Sequence, residues 1–106
     1  MTPLPHNPEV EQGVLSVCLK DNGETYRRCI EAGVTAFAFM DPRNARIWEA
    51  FKKMPVPDVS LLNLEPPDQT GGMAYILQVD NKAPTTTFAG HLIKQLLELA
   101  TKRELI

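Results

Sequence analysis

The chain has 106 residues, of which 43% are hydrophobic and 23% are charged, and its formal net charge is -2. This length and composition fit one globular domain, and the acidic balance argues against a nucleic-acid-binding domain, which usually carries a basic surplus. No apolar run approaches the roughly 20 residues that span a bilayer, and "MTPLPHNPEVEQ" lacks the basic start and apolar core of a secretory signal, so we expect a cytoplasmic protein without membrane contact.

A helix is predicted directly after an extended lead at residues 1–6. Asn7 is a favourable N-cap, and Pro8 occupies the first helical position, where its missing N–H costs no hydrogen bond. Acidic side chains follow in the first turn, at the positive end of the helix dipole. Apolar residues recur at spacings of three and four, which predicts an amphipathic helix over residues 8–20. The polar side of this helix carries Glu9, Gln12, Ser16 and Lys20.

The next segment predicts a second helix and then an ambiguous stretch. Apolar spacing favours a helix over residues 24–32, with Gly33 as its left-handed C-terminal residue. The stretch "VTAFAF" alternates as a strand would. A single helical turn capped by Thr35 is favoured instead, because no second strand exists to pair with it.

Two further helices are predicted between residues 41 and 65. Asp41 is an N-cap followed by Pro42 at the first helical position, and this third helix ends before Pro55. Ser60 is the expected cap of a short fourth helix, which the two prolines at 66–67 stop. The apolar face of the third helix carries Ile47, Trp48 and Phe51.

Residues 71–106 are predicted to form a C-terminal helical hairpin. A fifth helix begins near Gly72, and a sixth runs from about Thr87 to the end of the chain. The apolar arc of the last helix spans about 180°, wider than a helix packed on one side requires. Either this helix is buried in a small core, or one side faces a partner, and we favour the second interpretation. The arc comprises Phe88, Leu92, Ile93, Leu96, Leu97, Leu99 and Ala100.

No pattern of catalytic, cofactor-binding or metal-ligating residues is found. His6 and His91 lie far apart in sequence without a second ligand at helical spacing, which argues against a zinc site. No phosphate-binding loop motif occurs, and the glycine pair at 71–72 is better explained as a helix cap. Cys18 and Cys29 lack a C-x-x-C spacing, so we expect reduced core residues rather than a disulfide.

One basic cluster leaves a second class of function open. It surrounds Trp48, which we expect in the core rather than as a platform for stacking bases. A small helical DNA-binding regulator is therefore a minor alternative, and it predicts salt-dependent binding. The cluster comprises Arg43, Arg46, Lys52 and Lys53.

Five segments in chain order resemble the N-terminal domain of DnaB-type replicative helicases. That family begins with a proline-rich lead, Glu-x-Glu-Gln and a Val-Leu pair, and "LPHNPEVEQGVL" is similar to this start. "DPRNARIWEAF", "PDVSLL", "GGMAYILQV" and "APTTTFAGHLIKQLLELATKRELI" resemble later segments. The chain departs from the family pattern at Pro66-Pro67, which shorten a charged helix, and at Asn44, where a histidine is common. Gly90 and His91 replace better helix formers.

The resemblance implies an all-α fold, a compact bundle of about six helices in a single domain over residues 1–106. It implies a non-catalytic collar that binds no cofactor, pairs subunits of a hexameric helicase and docks primase or a helicase loader during DNA replication. The family's motor lies in a separate domain, joined by a linker that would begin where this chain ends. The departures suggest a divergent member, and a stand-alone adaptor that binds a helicase or primase is the main alternative.

The resemblance and the apolar arc together assign two groups of contact residues. We expect self-association into a homodimer or higher oligomer through the C-terminal hairpin, at Leu92, Leu96 and Leu99. We expect contacts with primase or loader at Glu9, Tyr75 and Ile106.

Overall fold

The computed structural model describes residues 5–104, and over these residues the chain is all-helical, as predicted. Seven α-helices and one 3-10 turn follow one another without a strand in this range. The elements are α1 (Pro8–Cys18), α2 (Glu24–Ala32), the 3-10 turn (Ala36–Ala38), α3 (Pro42–Phe51), α4 (Val59–Leu62), α5 (Pro67–Thr70), α6 (Gly72–Asp80) and α7 (Ala89–Glu104).

Side-chain caps begin three of the described helices, α1, α3 and α4. The side chain of Asn7 accepts hydrogen bonds from the N–H groups of Glu9 and Val10, and Asp41 accepts from the N–H of Arg43. The predicted cap at Ser60 is wrong, because Asp58 caps α4 by accepting from the N–H groups of Ser60 and Leu61. An aspartate two residues earlier provides a charged acceptor, so the serine is displaced into the first turn.

Two other helical boundaries differ from the prediction. Thr35 precedes the 3-10 turn as expected, but its side chain makes no capping hydrogen bond. α5 was not predicted, although Pro66 and Pro67 stop α4 as expected. The same prolines begin a new helix, since Pro67 lies at its first position, where the absent N–H is no loss.

α1 is the central helix of the domain. Every residue from Val10 to Cys18 is buried, and α2, α3, α6 and α7 all pack against it. The prediction that Gln12 and Ser16 lie on a solvent-facing side is therefore wrong. Ser16 donates a hydrogen bond to the carbonyl of Asp80 at 2.9 Å and accepts one from the N–H of Ala83 at 3.0 Å, which fixes the α6–α7 connection to α1.

The predicted hairpin is not a pair of helices packed chiefly on each other. α6 and α7 are joined by a short connection, but each packs more extensively on α1. Gly13 of α1 permits the close approach of α7, since a Cβ at this position would lie 3.2 Å from the Leu92 methyl groups. The two helices of the C-terminal third of the chain therefore both pack on α1.

Aromatic side chains from α2, α3 and the segment before α3 form a cluster in the core. Trp48 is completely buried, and its ring centroid lies 5.0 Å from that of Tyr26 and 5.5 Å from that of Phe39. These tilted arrangements are favourable for aromatic pairs. Cys18 and Cys29 are free and buried nearby, as expected for reduced core residues. In the range 5–104, no helix is long and apolar enough to cross a bilayer.

Candidate interaction surface

The apolar arc of α7 divides into a buried centre and two half-buried flanks. Leu96 is 1% exposed and Ile93 is 6% exposed, so both belong to the core of this domain. Leu92 and Leu99 are seven residues apart and lie on one flank, whereas Leu97 lies on the other, since successive helical residues are rotated by about 100°. Leu96 is therefore not available to a partner, in contrast to its predicted role, while Leu92 and Leu99 remain accessible.

The flank that carries Leu92 borders an open apolar groove of about 470 Å³, which we call the Phe88 groove. Phe88 lies at this groove and is 69% exposed, so most of its apolar side chain faces solvent. Gly13 forms part of the floor, because its lack of a side chain opens space between α1 and α7. The groove is lined chiefly by Gly13, Lys82, Ala83, Pro84, Phe88 and Leu92.

The opposite flank borders a second apolar groove of about 570 Å³, which we call the Leu97 groove. It lies between α7 and the end of α2, where Ala32 is exposed. Charged side chains of alternating sign, Lys94, Glu98 and Lys102, rim this groove. The small residues Ala32 and Gly90 line this groove, and its lining contains no aromatic residue.

Glu9 lies at the rim of the Phe88 groove. Its carboxylate is 2.6 Å from the ammonium of Lys82, which itself lines that groove. The Glu9 side chain is 75% exposed, so this ion pair is well solvated and contributes little to stability. The structure thus brings Glu9 and Leu92 to one face of the domain, although they are distant in sequence.

Tyr75 lies inside the domain and is not accessible to a partner, in contrast to its predicted role. The residue is 6% exposed. Its hydroxyl donates to the side-chain oxygen of Asn44 and accepts from the amide of Gln12 at 3.4 Å. The Arg43 guanidinium lies 3.8 Å from the ring centroid, which is a cation–π contact. Burial raises the pKa of the Tyr75 hydroxyl above its usual value.

The polar interior of the domain is organised by Glu11, which the sequence pattern placed only in the first turn of α1. Its carboxylate is 1% exposed and accepts hydrogen bonds from the N–H groups of Met40 at 2.8 Å and Asp41 at 3.2 Å. It also accepts from the amide of Asn44 at 2.9 Å. These contacts fix the start of α3 to α1, and they continue through Asn44 to Tyr75. A polar residue on the apolar face of α3, as Asn44 is, was the signal that could have revealed this network.

Arg43 and Asp41 form the exposed edge of the same network. The guanidinium donates to both carboxylate oxygens of Asp41, at 3.2 Å and 2.8 Å. This side-chain hydrogen bonding holds the pKa of Asp41 below its ordinary value. The same contact raises the pKa of Arg43, so the pair stays ionised.

The members of the basic cluster around Trp48 lie near carboxylates of neighbouring residues. Arg46 and Lys53 both lie near Glu65, at 3.5 Å and 3.4 Å, and Lys52 lies 3.3 Å from Glu49. Trp48 itself is buried and cannot stack on a base. These contacts offset part of the positive charge of the cluster, and the burial of Trp48 removes it as a platform for stacking bases.

Arg103 joins the two ends of the described chain. Its guanidinium donates to the carbonyl of Pro5 at 3.0 Å, and to those of Phe37 and Ala38 at 3.0 Å each. Ile106, a predicted partner contact, lies outside the described residues. His6 and His91 do not join a metal cluster, since residues 5–104 contain no group of three potential ligands.

Comparison with known proteins identifies the family. The model of the "DnaB-like helicase N terminal domain" matches residues 3–98, which is nearly the whole chain. No curated protein gives a significant match. The match includes α1 and its buried glutamate, the capped start of α3, and α6 with most of α7. The chain therefore belongs to the DnaB-like helicase N-terminal domain family.

Proposed function

We propose that this domain is the non-catalytic collar of a replicative DNA helicase, which pairs with other subunits and docks primase or a helicase loader. The observation that carries the proposal is the flank of α7 at the Phe88 groove. Phe88 is largely exposed, Leu92 lines the same groove, and Leu99 lies about two turns after Leu92 on the same flank. Both leucines are only half-buried. Apolar side chains that gather on one accessible face are typical of surfaces that are covered in an assembly.

Self-association is assigned to this flank rather than to the centre of the arc. In a twofold dimer the same surface of each chain meets its copy, so one apolar flank is sufficient for both subunits. Phe88 would enter the Phe88 groove of the second chain, and Leu92 and Leu99 would complete the contact. Leu96 supports the flank from within, because it holds α7 on the core.

Docking of primase or loader is assigned to the rim of the groove at Glu9. The carboxylate is exposed and its bond to Lys82 is solvated, so a partner cation can replace the lysine at small cost. This assignment keeps self-association and docking on neighbouring parts of one face.

Sedimentation or light scattering of three variants tests the self-association. Leu99→Asp places a charge on the proposed contact, and we expect the oligomer to dissociate while the helical circular dichroism is retained. Leu97→Asp is the control on the opposite flank, where the side chain also packs against the core, so its circular dichroism is measured as well. We expect the oligomer of this variant to persist. Leu96→Asp buries a charge in the core, and we expect loss of folding instead. A wild-type chain that is strictly monomeric at high concentration would contradict this part of the proposal.

Titration with the purified cognate primase, and separately with the cognate loader, tests the docking. Glu9→Lys reverses the charge at the rim, and we expect weaker binding of one of these partners with an unchanged oligomeric state. Glu98→Lys reverses a charge on the Leu97 groove and serves as the control. Unchanged affinity of both partners for the Glu9 variant would refute the assignment of Glu9.

A further inference from the structure

The only two cysteines of the chain lie side by side in the core. Cys18 is the last residue of α1 and Cys29 lies in the last turns of α2, and their Sγ atoms are 3.9 Å apart. Both residues are 0% exposed, and both thiols are free. Neither thiol takes part in the proposed function.

The distance between the two sulfurs is short enough for a bond after a small adjustment. A disulfide requires about 2.05 Å between sulfur atoms, so the gap of 3.9 Å must close by roughly 2 Å, shared between two side chains. Rotation about each Cα–Cβ bond moves Sγ, and a small shift of α2 supplies the remainder. α1 and α2 are joined by a turn that already holds them together, since the N–H of Thr25 donates to Asp21 at 3.0 Å.

Access to the buried pair is provided by α2 itself. Within this helix only Thr25 and Cys29 are buried, whereas every residue of α1 from Val10 to Cys18 is buried. Elements with few buried side chains open locally at lower free energy than the rest of a domain. We therefore expect a small oxidant to reach the two thiols through local opening of α2.

We propose that Cys18 and Cys29 are a thiol pair that a peroxide converts into an intramolecular disulfide, which locks α2 onto α1. In the first step one thiolate attacks a peroxide oxygen and becomes a sulfenic acid, and one water leaves after protonation. In the second step the other thiol attacks that sulfur, the S–S bond forms, and a second water leaves. Two thiols lose two electrons and two protons in total, and hydrogen peroxide is reduced to two molecules of water.

The hydrogen bond between the thiols and the burial of the pair set the pH dependence of the reaction. Both factors raise the pKa of Cys18 well above its ordinary value, so the thiol is protonated at neutral pH. Because thiolates are the reacting species, we expect the rate of disulfide formation to increase as the pH is raised. The disulfide closes a loop that contains the whole α1–α2 turn, and we expect it to increase thermal stability by limiting the unfolded chain.

Treatment of the folded wild-type protein with hydrogen peroxide tests this proposal. We expect the mass to fall by two hydrogen atoms, both thiols to become unreactive under denaturing conditions, and a peptide that links Cys18 to Cys29. We expect the melting temperature to increase by several degrees and to return to its original value after reduction. Cys18→Ala and Cys29→Ala each remove one of the two thiols, and we expect neither to form the linked peptide.

Three outcomes would overturn the inference. The first is retention of both free thiols at peroxide concentrations that oxidise the exposed methionines. The second is accumulation of sulfinic acid on one cysteine without a link to the other. The third is a disulfide between two chains rather than within one. Because each outcome is read from the mass of the wild-type protein, none depends on whether the alanine variants fold.

Discussion

The most informative single residue is Glu11, a carboxylate enclosed by helices α1 and α3. Glu9 lies two residues earlier on the same helix and has the same side chain, yet it is exposed. The difference is positional, because residues two apart on a helix point in different directions. A carboxylate that accepts three hydrogen bonds in the interior fixes its donors, whereas one in water exchanges partners at little cost.

Glu11→Gln is expected to destabilise the domain by about 1–3 kcal/mol, because an amide nitrogen replaces one of the acceptor oxygens and leaves a buried N–H without a partner. Glu9→Gln is the matched control, and we expect a change of about 0.5 kcal/mol or less. Chemical denaturation of both variants measures the difference. Equal effects of the two substitutions would show that the buried hydrogen bonds are not important for stability.

Asp41 links the network to pH. Its pKa is depressed in the folded protein by the hydrogen bonds from Arg43, so ionised Asp41 contributes stability above its ordinary pKa of 3.8. That contribution is lost as the pH falls below 3.8 and through the depressed folded value. Asn caps helices as well as Asp does, so Asp41→Asn should be less stable than the wild type at pH 6 and should approach it near pH 2. Melting temperatures over this range provide the measurement, and a constant difference would contradict the assignment.

At the scale of elements, local sequence rules predicted where helices begin better than they predicted how the helices pack on one another. Asn7-Pro8 and Asp41-Pro42 marked the starts of α1 and α3 correctly, because capping depends on neighbouring residues alone. The prediction that Gln12 and Ser16 face solvent was wrong. These polar side chains are buried because residues distant in sequence supply their hydrogen bonds, and the sequence pattern does not show such partners. α5 was not predicted, because the two prolines that end α4 also begin the next helix.

Glycines in two helices are expected to respond in opposite directions to alanine. A Cβ on Gly90 would meet only the flexible end of Arg28 at 3.3 Å, so Gly90→Ala should stabilise α7 by about 0.5–1 kcal/mol through helix propensity. Gly33 ends α2 with a φ of 95°, a left-handed conformation that disfavours side chains, so Gly33→Ala should destabilise the domain by about 1 kcal/mol. Thermal melting separates the two, and a stabilising Gly33→Ala would show that the C-terminal cap of α2 is not strained by a side chain.

For the molecule as a whole, the fold class was predictable from the sequence, whereas the ion pairs between separate elements were not. The all-α class and the family follow from patterns spread along the chain, and both are confirmed. The pairing of Arg46 and Lys53 with Glu65 was not predictable, because it joins side chains on separate elements. The same limit applies to the candidate site: spacing alone could not distinguish core Leu96 from half-buried Leu99, since both lie within one apolar arc.

Because every cation of the basic cluster lies near a carboxylate, we expect that this domain does not bind DNA appreciably at physiological salt. Fluorescence anisotropy with labelled duplex and single-stranded DNA provides the measurement, and Arg46→Ala is expected to have no effect on it. The net charge of -2 adds a weak general repulsion of phosphates. Salt-dependent binding that Arg46→Ala abolishes would instead support the helical DNA-binding regulator.

The contact of Arg103 with the carbonyls of Pro5, Phe37 and Ala38 brings the two ends of the described chain within reach of one side chain. Chains with adjacent ends tolerate a change in the order of their elements. A circular permutant that joins residue 104 to residue 5 by a short glycine-serine linker, and opens between the exposed Lys52 and Lys53, should therefore retain the helical fold. In such a permutant α1 and α7 would become sequence neighbours, so the two helices that meet at Gly13 and Leu92 would fold as a local pair.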